Sequence, residues 1–484
     1  MIVNDLSFNP DYSCISVSTS QFHKIFNCDP FGQFYSSSQE TLKRSLSHSI
    51  EDTSELTGDY YPTSFLKMLF STSLTIIVPE LTNRLLKIYN LKQNLKICEL
   101  SFPSNIIDVK LNRKRLLVIL ETGQIYIYDL SCVKLLKVLQ VTISSEFIGD
   151  LSADDKSWLV LPISSISQQT DLTASSPSQH AEEVYFDELV EFTRTTSQLY
   201  DKTGITLQDI KDDSNGWVLV YDTINLKPII VFQAHNSSIG RISISANENK
   251  IATASKKGTI IRVFNLRQED KLRIKQVSNL RRGHNLAKIN ALSFNNDNQI
   301  LGCGSETNTI HFFRIGGSSV EQQEEEEQEE SHSTEVEDSD EGDTSRSSED
   351  LNENLANLLI SKQVSSTPPK DDSKKMSWFK KTKKLINNQY TTTIIKKLPY
   401  KDYFENLIWE SPTRSFAYIK LPESNNNSKV EIGFNGNLVY LASYQTGKFY
   451  HFQLPKHRAS VTSLDDDEKR AACPLIAEYS LIDV

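Results

Sequence analysis

"IGRISISANENKIATASKKGTIIRVFNL" (239–266) and "INALSFNNDNQILGCGSETNTIHFFRI" (289–315) are two versions of one pattern. Laid so that Ile239 falls on Ile289, they bring Ser255 onto Ser305 and Thr259 onto Thr309. Each holds three short runs in which apolar and polar residues alternate, separated by Asn, Asp, Gly or Lys turns. That period belongs to strands with one face covered, and no helical period interrupts it.

The pattern extends in both directions. It is present in "NDLSFNPDYSCISVSTSQFHKIFNC" (4–28), in "FLKMLFSTSLTIIVPELTNRLLKIYNLKQNLKICEL" (65–100) and in "IIDVKLNRKRLLVILETGQIYIYDLSCVKLLKVL" (106–139). A fourth copy is split between "WLVLPI" (158–163) and "GWVLVYDTINLKPIIVF" (216–232). A seventh reads "EIGFNGNLVYLASYQTGKFYHFQL" (431–454), and "CPLIAEYSLIDV" closes the chain. "LSFN" recurs at Leu6–Asn9 and Leu292–Asn295. Seven four-stranded units at a period of roughly 40–50 residues, without crossover helices, predict an all-β, seven-bladed β-propeller occupying 1–484 as a single domain. Three polar stretches interrupt it, at 31–62, at 164–214 within blade 4 and at 317–412 within blade 6, and are expected to be long disordered loop insertions. Around "EEVYFDELVEF" (182–192) the second of them predicts a short helix.

The formal net charge of −10 is concentrated in one place. Residues 321–350 hold 15 Asp or Glu and one Arg, a net of −14, so the remainder carries −10 − (−14) = +4. A mildly basic folded part is compatible with an anionic partner surface. The six cysteines are scattered without metal spacing, which points to a reducing compartment. No apolar run approaches the ~20 residues of a membrane span, and a cytoplasmic protein is expected. Beyond the acidic run, "KKMSWFKKTKKLINN" (374–388) wound as a helix gathers Trp378, Phe379, Leu385 and Ile386 on one arc and lysines on the rest. A basic helix with an aromatic-bearing face suits a membrane interface.

Between units five and six lies "SNLRRGHN" (278–285), with Leu280, Arg281, Arg282 and Gly283 at its centre. In extended backbone, neighbouring side chains point to opposite sides, so Arg281 and Arg282 can serve two pockets. Guanidinium forks suit phosphate oxygens. The blander reading is a solvated charged turn.

The ordered set "FNCDPFG" (26–32), "NRKRLLVILE" (112–121), "AHNSSI" (234–239), "ATASKKGTIIRVF" (252–264) and "TIHFF" (309–313), with Arg-Arg-Gly between the fifth and sixth units, resembles the PROPPIN family. These are seven-bladed propellers that bind phosphoinositides in autophagy. One branch of the family is resembled most, on "YDLSCVKLL" (128–136), "GCGSETNTIHFF" (302–313) and "SFAYIKLPESN" (415–425). The resemblance implies a first phosphoinositide-binding site of His235, Thr253, Ser255, Thr259, Arg262 and Arg281. It implies a second of Arg282, Ser305, Thr307, Thr309 and His311. The family signature has Phe where this chain has Leu280, an apolar position expected to pack inward.

The resemblance further implies a scaffold recruited to membranes carrying phosphatidylinositol 3-phosphate or the 3,5-bisphosphate, peripheral on vacuole, endosome and pre-autophagosomal membranes. Its role would lie in autophagy and the cytoplasm-to-vacuole targeting branch. Its partners would be the coiled-coil subunit of the autophagy conjugation complex and the ubiquitin-like autophagy protein. A sibling role, recruiting the autophagy lipid-transfer protein and acting in vacuole morphology, uses a blade-2 loop carrying Pro-Arg. Here Asn83 precedes Arg84 in that loop. A plain protein–protein propeller without lipid ligand would leave the paired arginines unexplained. No nucleophile elbow, HExxH, P-loop or dinucleotide fingerprint is present, so no enzyme and no cofactor or metal is expected. Nor is a nucleic-acid partner expected, and the chain should be a monomer.

Overall fold

The computed structural model describes residues 1–37, 62–93, 95–143, 146–166, 190–191, 210–246, 249–268, 271–315, 412–421, 429–455 and 470–482. They form seven sheets, each with four antiparallel strands in chain order, and three of them carry a short parallel strand as well. Blade 1 spans Val3–Phe8 to Phe31–Ser36, blade 2 Thr63–Met68 to Leu95–Ser101, and blade 3 Ile106–Leu111 to Lys134–Gln140. Blade 4 joins Asp150–Leu151 and Trp158–Pro162 to Trp217–Asp222 and Lys227–Gln233 across the second insertion. Blade 5 runs from Ile239–Ile244 to Leu272–Arg281. In blade 6 the third strand, Thr309–Arg314, pairs with a fourth, Ala417–Lys420, beyond the long insertion. Blade 7 runs from Val430–Asn435 to Leu475–Ser480.

The apolar core is divided among the seams between blades. Seven clusters of buried side chains are present among the described residues, one at each seam. The second strand of a blade is covered on both faces, and Arg115–Leu120 and Lys250–Ser255 are buried at every position. That is why "LLVIL" reads as a continuous apolar run and not as an alternating one.

The ring closes without exchanging a strand, since blade 7 and blade 1 are each complete in themselves. Across that seam Leu6, Ile15, Val17 and Phe26 pack against Tyr440, Phe449 and Leu481. Phe31 stacks on Tyr479 with ring centroids 4.1 Å apart. The Tyr444 hydroxyl donates to the Leu6 carbonyl at 3.0 Å.

Two boundaries differ from the sequence reading. The first insertion does not begin at 31, because Phe31–Ser36 is the fourth strand of blade 1, paired with His23–Cys28. An outermost strand has one face covered, so "FGQFYS" buries little and reads as polar; Phe31 and Tyr35 are its inward anchors. In the second insertion a strand, Val190–Glu191, stands where a helix is predicted. It pairs parallel with Val231 and Phe232, occupying backbone groups at the edge of blade 4. Blades 5 and 6 carry similar parallel additions, Thr413–Arg414 and Ala471–Ala472. The acidic run 321–350 and the basic stretch 374–388, with Trp378, Phe379, Leu385 and Ile386, lie outside the described residues.

Candidate functional site

The arginine pair sits where the outer strand of blade 5 ends. In that strand Arg281 pairs with Ile260, Leu280 with Ile261 and Asn279 with Arg262. Leu280 is 1% exposed and packs with Ala252, Ala254, Ile289 and Leu301 in the seam between blades 5 and 6. By alternation, Asn279 and Arg281 take the other face, which in this blade carries Ile251 and Phe264 against blade 4. Arg282 has left the ladder and is clamped. Its N–H donates to the Thr259 carbonyl at 3.0 Å, its Nε to the Gly258 carbonyl at 2.6 Å, and an Nη to the Asn285 carbonyl. Gly258 is required there: its φ is +61°, and an added Cβ would stand 1.9 Å from the Ala287 carbonyl oxygen. At Gly283 an added Cβ meets nothing within 4 Å, so the fold itself makes no such demand.

On the blade-4 side, His235 Nε2 lies 3.0 Å from Thr253 Oγ1 and 3.2 Å from the Thr253 carbonyl. Arg262 donates from Nη1 to the Ala234 carbonyl at 2.7 Å and from Nε to Asn279 Oδ1 at 3.1 Å. Ser255 is buried two residues along from Thr253, on the same face. Arg281 Nε is buried without a hydrogen-bond partner. A buried orphan donor costs about 1–3 kcal/mol, and such a donor calls for an explanation. Thr259 is placed beside Arg282, through its carbonyl, more than beside Arg281.

On the blade-6 side, His311 lies across the ladder from Cys303, and its ring feels the charge of Arg282. His311 Nδ1 is 3.2 Å from Ser415 Oγ. Ser305 Oγ is 2.7 Å from Thr307 Oγ1, with Ser305 buried and Thr307 exposed. Thr309 is half-buried at the start of its strand, opposite Lys420. Two sets of hydroxyl and imidazole side chains therefore flank one clamped turn.

Both imidazoles are neutral near pH 7. Burial, and then Arg262, lower His235 to about 3; burial, and then Arg282 and Arg470, lower His311 to about 4. Since a carbonyl only accepts, His235 Nε2 carries the proton and gives it to Thr253. Sequence reasoning missed Asn279, Ser415 and Arg470. Asn279 was within reach, being two residues from Arg281 on a strand. Ser415 and Arg470 arrive from beyond two insertions, and nothing local marks them.

Clustered guanidinium, hydroxyl and amide donors suit a phosphate ester. Among the described residues no group of His, Cys, Asp and Glu could hold a metal ion, and no helix is long and apolar enough to cross a membrane.

The comparisons with known proteins bear on the whole chain. The chain is 59% identical to autophagy-related protein 21 of Candida albicans, over 99% of both chains. It is 53% identical to that of Debaryomyces hansenii over the full length of both. Autophagy-related protein 18 of Kluyveromyces lactis is 32% identical over 66% of this chain and 63% of its own. Among solved structures, the complex of KlAtg21 with the coiled-coil of AgAtg16 matches at 25% identity and a TM-score of 0.54, covering 99% of each chain. Hsv2 of Kluyveromyces lactis, at 15% identity and a TM-score of 0.55, shares the fold. The PROPPIN family model matches residues 5–175 and 209–339, a span that includes His235 to His311 and the paired arginines between them. Seven blades, the paired arginines at the fifth and this match together place the chain in the PROPPIN family.

Proposed function

We propose that this chain is a membrane-recruited scaffold of autophagy whose two clefts each take the phosphorylated headgroup of a phosphoinositide. The headgroup proposed for both is that of phosphatidylinositol 3-phosphate, with the 3,5-bisphosphate as the alternative lipid. The orphan Nε of Arg281, buried on the blade face that also carries Arg262 and Thr253, is the observation that carries the reading. A phosphate oxygen is the acceptor it lacks, and a phosphate monoester brings about −1.5 to −2 charges to a cleft lined by arginines. Two weak sites on one rigid body would act together on a vesicle and gain roughly 10²–10⁴ in avidity. From its sequence, the stretch 374–388 is the part assigned to the bilayer interface, through Trp378, Phe379, Leu385 and Ile386. The solved complex of KlAtg21 with the coiled-coil of AgAtg16 supports a coiled-coil partner, read here as the subunit of the conjugation complex. The ubiquitin-like autophagy protein and a role in cytoplasm-to-vacuole targeting rest on the family resemblance alone.

Flotation with phosphatidylcholine vesicles, with and without phosphatidylinositol 3-phosphate, tests the lipid reading. Arg281→Thr with Arg282→Thr should abolish lipid-dependent flotation. Because Arg282 is 5% exposed and clamped, its loss leaves the Gly258 and Asn285 carbonyls unpaired, at about 1–3 kcal/mol of stability. The assay is therefore run on protein verified as folded. Flotation retained by the folded double variant would sink the assignment and favour a propeller that binds only proteins.

A further inference from the structure

The arginines at the clefts do not end with the signature. Thr413–Arg414 adds a parallel strand to the outer edge of blade 5, in register Leu280 to Thr413 and Arg281 to Arg414. Residues paired across a sheet share a face, so Arg414, exposed, stands on the same side as Arg281. The second cleft has a counterpart. Ala471–Ala472 adds a parallel strand to the outer edge of blade 6, with Ala472 opposite Tyr418, itself opposite His311. Arg470 immediately precedes it, and its charge, like that of Arg282, acts on the His311 ring.

Like charges placed directly opposite one another in a sheet are destabilising. Even so, Arg414 faces Arg281 across one ladder, and Arg470 joins Arg282 about one imidazole. Among the described residues no carboxylate pairs with Arg281, Arg282 or Arg470. Arg281, Arg282 and Arg470, gathered without a carboxylate of their own, are tolerated where an anion from outside the chain neutralises them.

We propose that Arg414 is a further phosphate-binding residue of the Arg281 cleft and Arg470 of the Arg282 cleft. Each stands in or directly before a short strand that pairs with the outer edge of the preceding blade. This rests on the phosphate-ester reading above. The ligand class is a phosphate monoester, borne by a lipid headgroup or by its soluble counterpart.

The test titrates the full chain with inositol 1,3-bisphosphate by calorimetry, then repeats the series with phosphatidylcholine vesicles containing phosphatidylinositol 3-phosphate. Arg414→Ala and Arg470→Ala should each weaken one of two sites by roughly fivefold or more, the scale of a lost charge-assisted hydrogen bond. Arg414→Lys should recover part of the loss. Arg267→Ala, an exposed arginine at the far end of blade 5, should change nothing. Melting curves of the Arg414 variants should match the parent chain. If both alanine variants bind the soluble headgroup as the parent does, while Arg281→Thr with Arg282→Thr does not bind, the proposal fails and the cleft reading stands. A loss seen only with vesicles would reassign these arginines to general surface attraction and equally overturn it. If the parent chain itself binds no headgroup, the cleft reading fails first.

Discussion

At the scale of single residues, two glycines a short distance apart carry opposite obligations. Gly258 occupies a left-handed turn against the Ala287 carbonyl and offers its own carbonyl to Arg282, whereas Gly283 has open space around it. Gly258→Ala should therefore lower the melting temperature by several degrees, through strain and a displaced arginine. Gly283→Ala should leave it unchanged. Thermal melts of the two variants decide this, and equal melting temperatures would contradict the clamp. The histidines give a second expectation. Free His235 and His311, at about 3 and about 4, hold no extra proton at neutral pH. A bound dianion raises both, so headgroup binding should take up protons and tighten as pH falls from about 7.5 toward 6.5, above the second phosphate pKa of ≈ 6. Calorimetry in two buffers of unlike ionisation enthalpy measures that uptake; identical heats would refute it. On the sequence, the matching of Ser255 with Ser305 and of Thr259 with Thr309 could be read because two repeats align residue on residue, whereas the grouping of these hydroxyls with Arg281 and Arg282 rested on the family resemblance. The clamping of Arg282 and the neutrality of both rings were not, since each depends on burial that no local pattern encodes.

At the scale of elements, blades 4, 5 and 6 differ from blades 2 and 3. The former carry a parallel addition on the outer strand, and the latter end in a four-stranded edge. Edge strands open locally at low cost. Amide exchange should therefore be slower in Leu272–Arg281 and Lys227–Gln233 than in Leu95–Ser101. Mass-spectrometric exchange resolves this at peptide level, and equal rates would show that the additions protect nothing. The inner strands could be read from sequence because they are apolar on both faces. Two at the outer edges could not: Phe31–Ser36 passed for loop and Val190–Glu191 for helix. Two or six residues that bury one face leave too weak a period.

At the scale of the whole molecule, buried neutral histidines stand in several blades. His23 is lowered to about 3 and His311 to about 4 by burial first, and His235 to about 3; burial also lowers His451. In the unfolded chain all titrate near 6.5. Their contribution to stability is complete above about pH 6.5 and is lost as pH falls toward 4, because the unfolded chain binds the protons first. The melting temperature should thus drop steadily from pH 7 to pH 5, and His23→Gln should flatten the decline if it folds. A flat profile across that interval in the parent chain would mean that these rings are solvated.

Six of the seven seams are crossed by the peptide chain, and the seventh, between Tyr440, Phe449 and Leu481 on one side and Leu6, Ile15 and Phe26 on the other, is not. Considered mechanically, the molecule is a clasp whose two ends are pulled apart across that one joint. Tension applied at the termini acts on apolar faces that separate together, with no ladder of backbone bonds to unzip first. The topology also makes the position of the ends arbitrary. A chain with its termini joined by a flexible linker and reopened in "FPSN" (102–105), between blades 2 and 3, would place a covalent bridge over the weak joint and create a new one elsewhere.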